Sequence, residues 1–275
     1  MKVLVSDKMS QDGIDVLNAV DEIQVVYKTN LSPEDLIKEL QDTDALIIRS
    51  STKVTKDVFA AVKKLKIIGR AGIGVDNIDC TAATERGVIV INTPSGNATT
   101  TAEHTIAMLM ALSRHIPQAD KSMYQGAWEK SKFTGTEITG KVLGIFGYGN
   151  IGKIVADRAQ GLRMRVMVYD PFLNAEAAAK YGVELVSKET LFERSDYISV
   201  HVPLNDSTRN LIDQKTIQTM KTGVRILNCA RGGIVNESAL LAGLDSGKIA
   251  GAAIDVFEEE PPNKNNPLLK HERVI

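Results

Sequence analysis

The sequence predicts an α/β protein made of two doubly wound parallel-sheet domains. Three observations predict it. Short apolar runs alternate with helical patterns almost from end to end, the pattern of parallel strands joined by crossover helices. The length of 275 residues exceeds one average domain and fits two. A glycine-rich turn at 147–152 lies between a strand and a helix at the head of the second alternating series.

In the first series, strands are expected at 2–5, 23–27, 45–48, 66–68 and 88–91. A helix opens at Ser32, where a capping hydroxyl precedes Pro33 and the acid Glu34. That order suits the unpaired N–H groups and the positive dipole end of a helix start. Another helix opens at Thr55. From 97 to 128 one long helix is expected, carrying Ile106, Leu109, Met110 and Ile116 and ending at Gly126, Ala127 and Trp128. Such a helix suits a connector between domains, a dimer surface or a buried core position, and its sequence does not separate these. The second series has strands expected at 142–146, 165–169, 183–186, 197–202, 224–228 and 249–255. Val274 and Ile275 read as the start of one more strand, so the protein is expected to continue.

Hydrophobic residues make up 43% and charged residues 24%, the balance of a globular chain with a core of useful size. With 33 basic and 34 acidic residues the formal net charge is -1, so no nucleic-acid partner is expected. Lys63, Lys64 and Lys66 read as a solvated helix end. The N-terminus reads as a strand without a signal-peptide apolar region, and no apolar run reaches membrane-spanning length. No membrane partner is expected. Cys80 and Cys229 are far apart and in no metal-ligand spacing. No metal site is therefore expected, and unpaired thiols suit a reducing, cytoplasmic setting.

The turn at 147–152 reads G-x-G-x-x-G in strand–turn–helix context. Gly147 permits a tight turn, Gly149 lets the backbone approach a pyrophosphate, and Gly152 allows close packing of helix on strand. Asn150 and Ile151 open the helix, whose free N–H groups and dipole favour phosphate. The next strand ends in Asp170. An acid there accepts hydrogen bonds from ribose hydroxyls and repels a 2′-phosphate, and Pro171 and Phe172 offer no cation to offset it. NAD is the expected cofactor.

Several segments resemble one family, the D-isomer-specific 2-hydroxyacid dehydrogenases. They are Arg70 to Asp79 (RAGIGVDNID), Asn92-Thr93-Pro94, Asn228 to Glu237 (NCARGGIVNE) and Ala253 to Pro262 (AIDVFEEEPP). Arg49 to Thr55 and Trp128 to Phe133 resemble members that act on a small phosphorylated 2-hydroxy acid. The resemblance covers essentially the whole chain. It implies a flavodoxin-like substrate domain over 1–93, lacking its C-terminal return segment, and a Rossmann NAD domain over 94–275.

It also implies roles. Arg231 would be the catalytic arginine, its planar fork suited to a carboxylate. Glu260 would hydrogen-bond a catalytic histidine and raise its pKa; Glu258 and Glu259 stand beside it, and only the resemblance chooses among the three. The family places that histidine in a Pro-His pair past the strand that begins at Val274. His104, His115 and His271 read as packing, surface or loop residues instead. His201, Val202 and Pro203 would line the cofactor cleft through their backbone. Asp255 would bind the nicotinamide carboxamide, with the Cys229 carbonyl and Ala230 nearby. For substrate binding, Arg49 and Ser50 end a first-domain strand, and the backbone amides of Ile73 and Gly74 could hold the carboxylate. Arg49 could meet a phosphate, and so could Lys130 or Lys132 from a partner subunit, although each lysine alone also reads as solvated surface. A homodimer is implied. Two other readings stay open: a hydroxypyruvate or glyoxylate reductase of the same family, and a non-catalytic NAD-sensing corepressor-like protein.

Overall fold

The computed structural model describes residues 1–275, and their contacts divide them into two units, Met1–Asn97 and Ala98–Ile275. The first runs β1 (Lys2–Val5), α1 (Gln11–Asn18), β2 (Gln24–Tyr27), α2 (Pro33–Leu40), β3 (Ala45–Ile48), α3 (Lys56–Ala61), β4 (Ile67–Arg70), α4 (Cys80–Glu85) and β5 (Ile89–Asn92). Ser32 caps α2 as expected, its Oγ accepting from the Asp35 N–H at 3.1 Å. The five strands are parallel in the order β2-β1-β3-β4-β5, the flavodoxin-like winding. Leu4, Leu46, Ile48 and Ile68 from the strands bury against Leu36, Leu40, Val58 and Phe59 from the helices. Each such side chain contributes roughly 1.5–3 kcal/mol of transfer free energy.

The second unit runs α5 (Ala98–Arg114), α6 (Ile116–Tyr124), β6 (Val142–Phe146), α7 (Asn150–Gly161), β7 (Arg165–Tyr169), α8 (Ala175–Lys180), β8 (Glu184–Leu185), α9 (Lys188–Arg194), β9 (Tyr197–Val200), α10 (Gln214–Thr219), β10 (Val224–Asn228), α11 (Glu237–Asp245) and β11 (Ile249–Ile254). Its six parallel strands lie in the order β11-β10-β9-β6-β7-β8. Counted from β6 this is 3-2-1-4-5-6, the Rossmann order, whose direction reverses between β6 and β9. The expected fold class is thus observed in both units.

Period-two alternation divides the core of this unit into two layers. Leu143, Ile145, Val168 and Leu227 pack with Leu109, Leu112 and Val155 on one face. Phe146, Ile198, Val200 and Ile226 pack with Leu191, Ile217 and Leu240 on the other. Gly144 has no side chain because a Cβ there would lie 2.6 Å from Leu191 Cδ2, so its absence lets α9 close onto the sheet.

The single helix expected over 97–128 is not observed. It is two helices, α5 and α6, hinged at His115 in the left-handed region (φ 54, ψ 35). Pro117 is the physical reason: it has no N–H to bond the carbonyl four residues back, and its ring crowds that carbonyl. α6 ends at Tyr124, and Gly126 turns the chain with φ +76. Val274 does begin a further strand pairing: it bridges Ala252 in parallel, and Ile275 N donates to Ala252 O at 3.0 Å. No helix is long and apolar enough to cross a membrane.

Candidate functional site

The reversal between β6 and β9 opens a crevice at the carboxyl ends of the strands, and the glycine turn lies on it. Gly147 follows β6 at φ +90, a backbone state that costs glycine little. Its N–H donates to Tyr169 O at 2.9 Å, and His201 N donates to Phe146 O at 2.7 Å. A Cβ on Gly147 would come 2.7 Å from His201 O, and one on Gly152 would come 2.1 Å from Gly147 O. The turn is closed by backbone against backbone on both sides. Gly149 is different: a Cβ there would meet nothing within 4 Å. Its free face lies at the start of α7, where Asn150 and Ile151 form the first turn. A pyrophosphate approaching the backbone needs that uncovered face.

Asp170 follows β7. Its Oδ2 accepts from the Tyr148 N–H at 2.7 Å and its Oδ1 from the Phe172 N–H at 2.8 Å. These bonds fix the carboxylate beside the glycine turn and leave lone pairs for ribose hydroxyls. His201 shares a 2.8 Å hydrogen bond between its Nε2 and Ser199 Oγ, and its Nδ1 is buried without a partner. Burial pushes the imidazole down to about 4. It is neutral near pH 7 and takes no acid–base part, whereas the backbone of His201, Val202 and Pro203 borders the crevice.

The two segments expected to carry catalysis follow β10 and β11. Asn228 shapes the first: its Nδ2 donates to Arg231 O at 2.9 Å and its Oδ1 accepts from Ala230 N at 3.1 Å. Arg231 Nη1 donates to Ala230 O at 2.6 Å. In the second, Asp255 N donates to Asn228 O at 3.0 Å, and Phe257 N donates to Glu260 Oε1 at 3.2 Å. The two loops touch: a Cβ on Gly232 would lie 1.7 Å from Phe257 O. Glycine is the one residue that lets the arginine loop and the glutamate loop meet this closely.

Sequence reasoning missed His104. Its Nε2 lies 3.3 Å from Asp255 Oδ1, and Cys229 Sγ is close to both. Burial pushes the Cys229 thiol up to about 11, opposed by a hydrogen bond with Thr105. Nothing in local spacing announces this trio, because α5 is far from β10 and β11 along the chain and meets them only by packing.

In the first unit, Arg49 and Ser50 follow β3 with exposed side chains, and Ile73 and Gly74 lie in the loop after β4. Buried Asp7 accepts from Arg49 N at 2.6 Å, Thr52 N at 3.2 Å and Thr52 Oγ1 at 2.8 Å. Asn77 Nδ2 donates to Arg49 O and Thr52 O at 2.7 and 2.6 Å, and Asn92 Nδ2 donates to Ile73 O at 2.6 Å. Lys130 and Lys132 lie in the second unit, exposed, between α6 and β6; Lys132 Nζ is 3.3 Å from Glu129 Oε1.

Fold and crevice together define a dinucleotide-binding α/β protein, and the open face of Gly149 beside the fixed Asp170 carboxylate fits NAD. Residues 106–275 match the family model described as D-isomer specific 2-hydroxyacid dehydrogenase, NAD binding domain. The chain belongs to the D-isomer-specific 2-hydroxyacid dehydrogenase family, and its cofactor is NAD. It is similar to the D-3-phosphoglycerate dehydrogenases of Archaeoglobus fulgidus, 49% identical over 275 residues, and Bacillus subtilis, 52% identical over 274 residues. Each alignment covers 100% of this chain but only 52% and 51% of the relative. The chain spans about half the length of the curated relatives it matches. Among solved structures it is similar to a glyoxylate reductase from Paecilomyes thermophila, with a TM-score of 0.90, 30% identity, and coverage of 100% of this chain and 86% of that one.

Proposed function

We propose that this chain serves in the NAD-dependent oxidation of 3-phosphoglycerate to 3-phosphohydroxypyruvate, the step that opens serine synthesis. The observation that carries the reading is the 49% and 52% identity, along the full chain, to two enzymes named for that substrate. We assign substrate binding to 1–93 and cofactor binding to 94–275.

When bound, NAD accepts the hydride that leaves C2 of the substrate. The residues of this chain bind and orient. Gly147, Gly149, Gly152 and the first turn of α7 hold the pyrophosphate, and Asp170 holds the ribose. Asp255 and the 229–230 backbone hold the carboxamide. Arg231 grips the substrate carboxylate and C2 oxygen with a bidentate fork; the bonds from Asn228 support it by fixing its loop. Glu260 supports the histidine that takes the C2 hydroxyl proton; the family resemblance puts that histidine after the strand that begins at Val274. Of the first unit's residues, we assign the Ile73 and Gly74 amides to the carboxylate as a nest and Arg49 and Ser50 to substrate binding; of the second unit's, we assign Lys130 and Lys132 to substrate binding.

Exposed Ile116, Met123, Tyr124 and Trp128 on and after α6 support a homodimer, checked by sedimentation velocity. The free thiols Cys80 and Cys229 support a cytoplasmic setting. The likeness to a glyoxylate reductase favours a second reading, reduction of glyoxylate or hydroxypyruvate.

The test is NADH formation from 3-phosphoglycerate, beside NADH consumption with glyoxylate. It uses the 275-residue chain and a version extended to the length of its relatives. The expected result is turnover of 3-phosphoglycerate by the extended protein, lost in Arg231→Gln, and NAD binding without turnover by the shorter chain. Turnover of glyoxylate alone would support the second reading, and turnover by the shorter chain would refute the histidine assignment.

A further inference from the structure

His104 on α5, Cys229 after β10 and Asp255 after β11 each offer one ligand atom, and the three atoms all lie within 4.8 Å of one another. His104 Nε2 stands 3.3 Å from Asp255 Oδ1. The trio rests on fixed parts of one unit. Asp255 N is bonded to Asn228 O, and α5 packs directly on β10 and β11. Cys229 is buried, whereas the His104 and Asp255 side chains are 46% and 49% exposed. The thiol forms a closed floor and the other two an open mouth.

Imidazole, thiolate and carboxylate are the ligand types that zinc takes, and three protein ligands leave a fourth position open. Bonds of about 2.0–2.3 Å to a tetrahedral ion put ligand atoms about 3.3–3.8 Å apart. The gap between His104 and Asp255 already has that size, and the remaining gaps need at most about 1.5 Å of closure to reach it. The charges also balance, since a dication with one thiolate, one carboxylate and a neutral imidazole makes a neutral centre. As a bare ion pair, two half-exposed groups at this distance contribute little.

We propose that His104, Cys229 and Asp255 form a binding site for a zinc-class divalent cation, and that this ion excludes the nicotinamide end of the dinucleotide. The exclusion rests on the reading above that Asp255 receives the carboxamide. On binding, the Cys229 S–H bond breaks, a sulfur–metal bond forms and the proton passes to solvent; nothing is oxidised or reduced.

Cobalt(II) is the probe, because its thiolate complexes absorb. Titrating the 275-residue chain is expected to give a sulfur-to-cobalt charge-transfer band that saturates at one equivalent and is bleached by zinc. Cys229→Ser should abolish the band, His104→Gln should weaken cobalt binding by about tenfold or more, and Cys80→Ser should leave it unchanged. Circular dichroism checks that each variant is folded. Saturating NADH should remove the band. No band in the parent chain, or a band that survives Cys229→Ser, would overturn the site. A band unmoved while NADH fluorescence reports bound cofactor would overturn the exclusion. Absence of any NADH binding would sink the cofactor reading and the exclusion with it, while the cobalt band still decides the metal site.

Discussion

The two α/β units meet the same problem, holding loops at the carboxyl ends of parallel strands, with different chemistry. The first unit clamps its loops with side chains: Asp7 and Asn77 fix the turn after β3, and Asn92 fixes the loop after β4. The second unit also uses side-chain clamps, Asp170 at the glycine turn and Asn228 at the end of β10, and adds closures made by backbone and missing side chains. Gly152 abuts Gly147 O, and Gly232 abuts Phe257 O. A clamp of the first kind fails by leaving buried donors unpaired. A closure of the second kind fails by collision. The difference follows from what each unit presents: polar side chains at the proposed substrate loops, bare backbone at the proposed cofactor turn.

The sharpest break should come from collision. Gly232→Ala and Gly152→Ala put a Cβ 1.7 and 2.1 Å from a carbonyl oxygen, so each should lose about 3 kcal/mol or more, or fail to fold. Denaturant unfolding measures this, and a loss below about 1 kcal/mol would mean that the loops yield easily. Next in size is the polar clamp. Asp7→Ala strips the acceptor from two backbone N–H groups and one hydroxyl, and about 2–4 kcal/mol should be lost in the same assay. A loss as small as that of a surface substitution would remove Asp7 from the account.

His201 gives the comparison a pH axis. Its folded value of about 4 lies below the usual 6.5, so the unfolded chain binds the proton first. Its effect is absent above about pH 6.5, and stability falls as pH drops toward 4. The fall should be about 2–3 kcal/mol. His201→Asn should flatten that slope, and an unchanged slope would show that other groups cause it. The smallest effect should be Gly149→Ala. With nothing near its Cβ, the melting temperature should hold, while NADH affinity falls about tenfold because the added methyl occupies the pyrophosphate approach.

Features that are contiguous or periodic were legible in the sequence. The strand runs alternate with period two or are continuously apolar, so β6, β7 and β10 fall at the expected residues. The glycine turn was legible because a backbone requirement maps onto one residue type at fixed spacing, and Asp170 because it ends the next strand. The hinge at His115 was not, since the apolar pattern runs straight through it and only Pro117 marks the break. The Asp7 clamp joins the segment after β1 to the loop after β3, and the His104–Asp255 contact joins a helix to the segment after β11. Both depend on which elements the sheet order brings together, which local spacing does not encode. The Lys132–Glu129 pair does carry a local signal, because Glu129 lies three residues before Lys132 at ion-pair spacing.

The central claim is that the open backbone at Gly149 and the fixed carboxylate of Asp170 make the second unit an NAD site. Calorimetric titration of the 275-residue chain with NADH and with NADPH tests it most directly. The account predicts saturable one-to-one NADH binding, about tenfold or more tighter than NADPH, with the gap narrowing in Asp170→Ser. No saturable NADH binding, or equal affinity for the two cofactors, would contradict it.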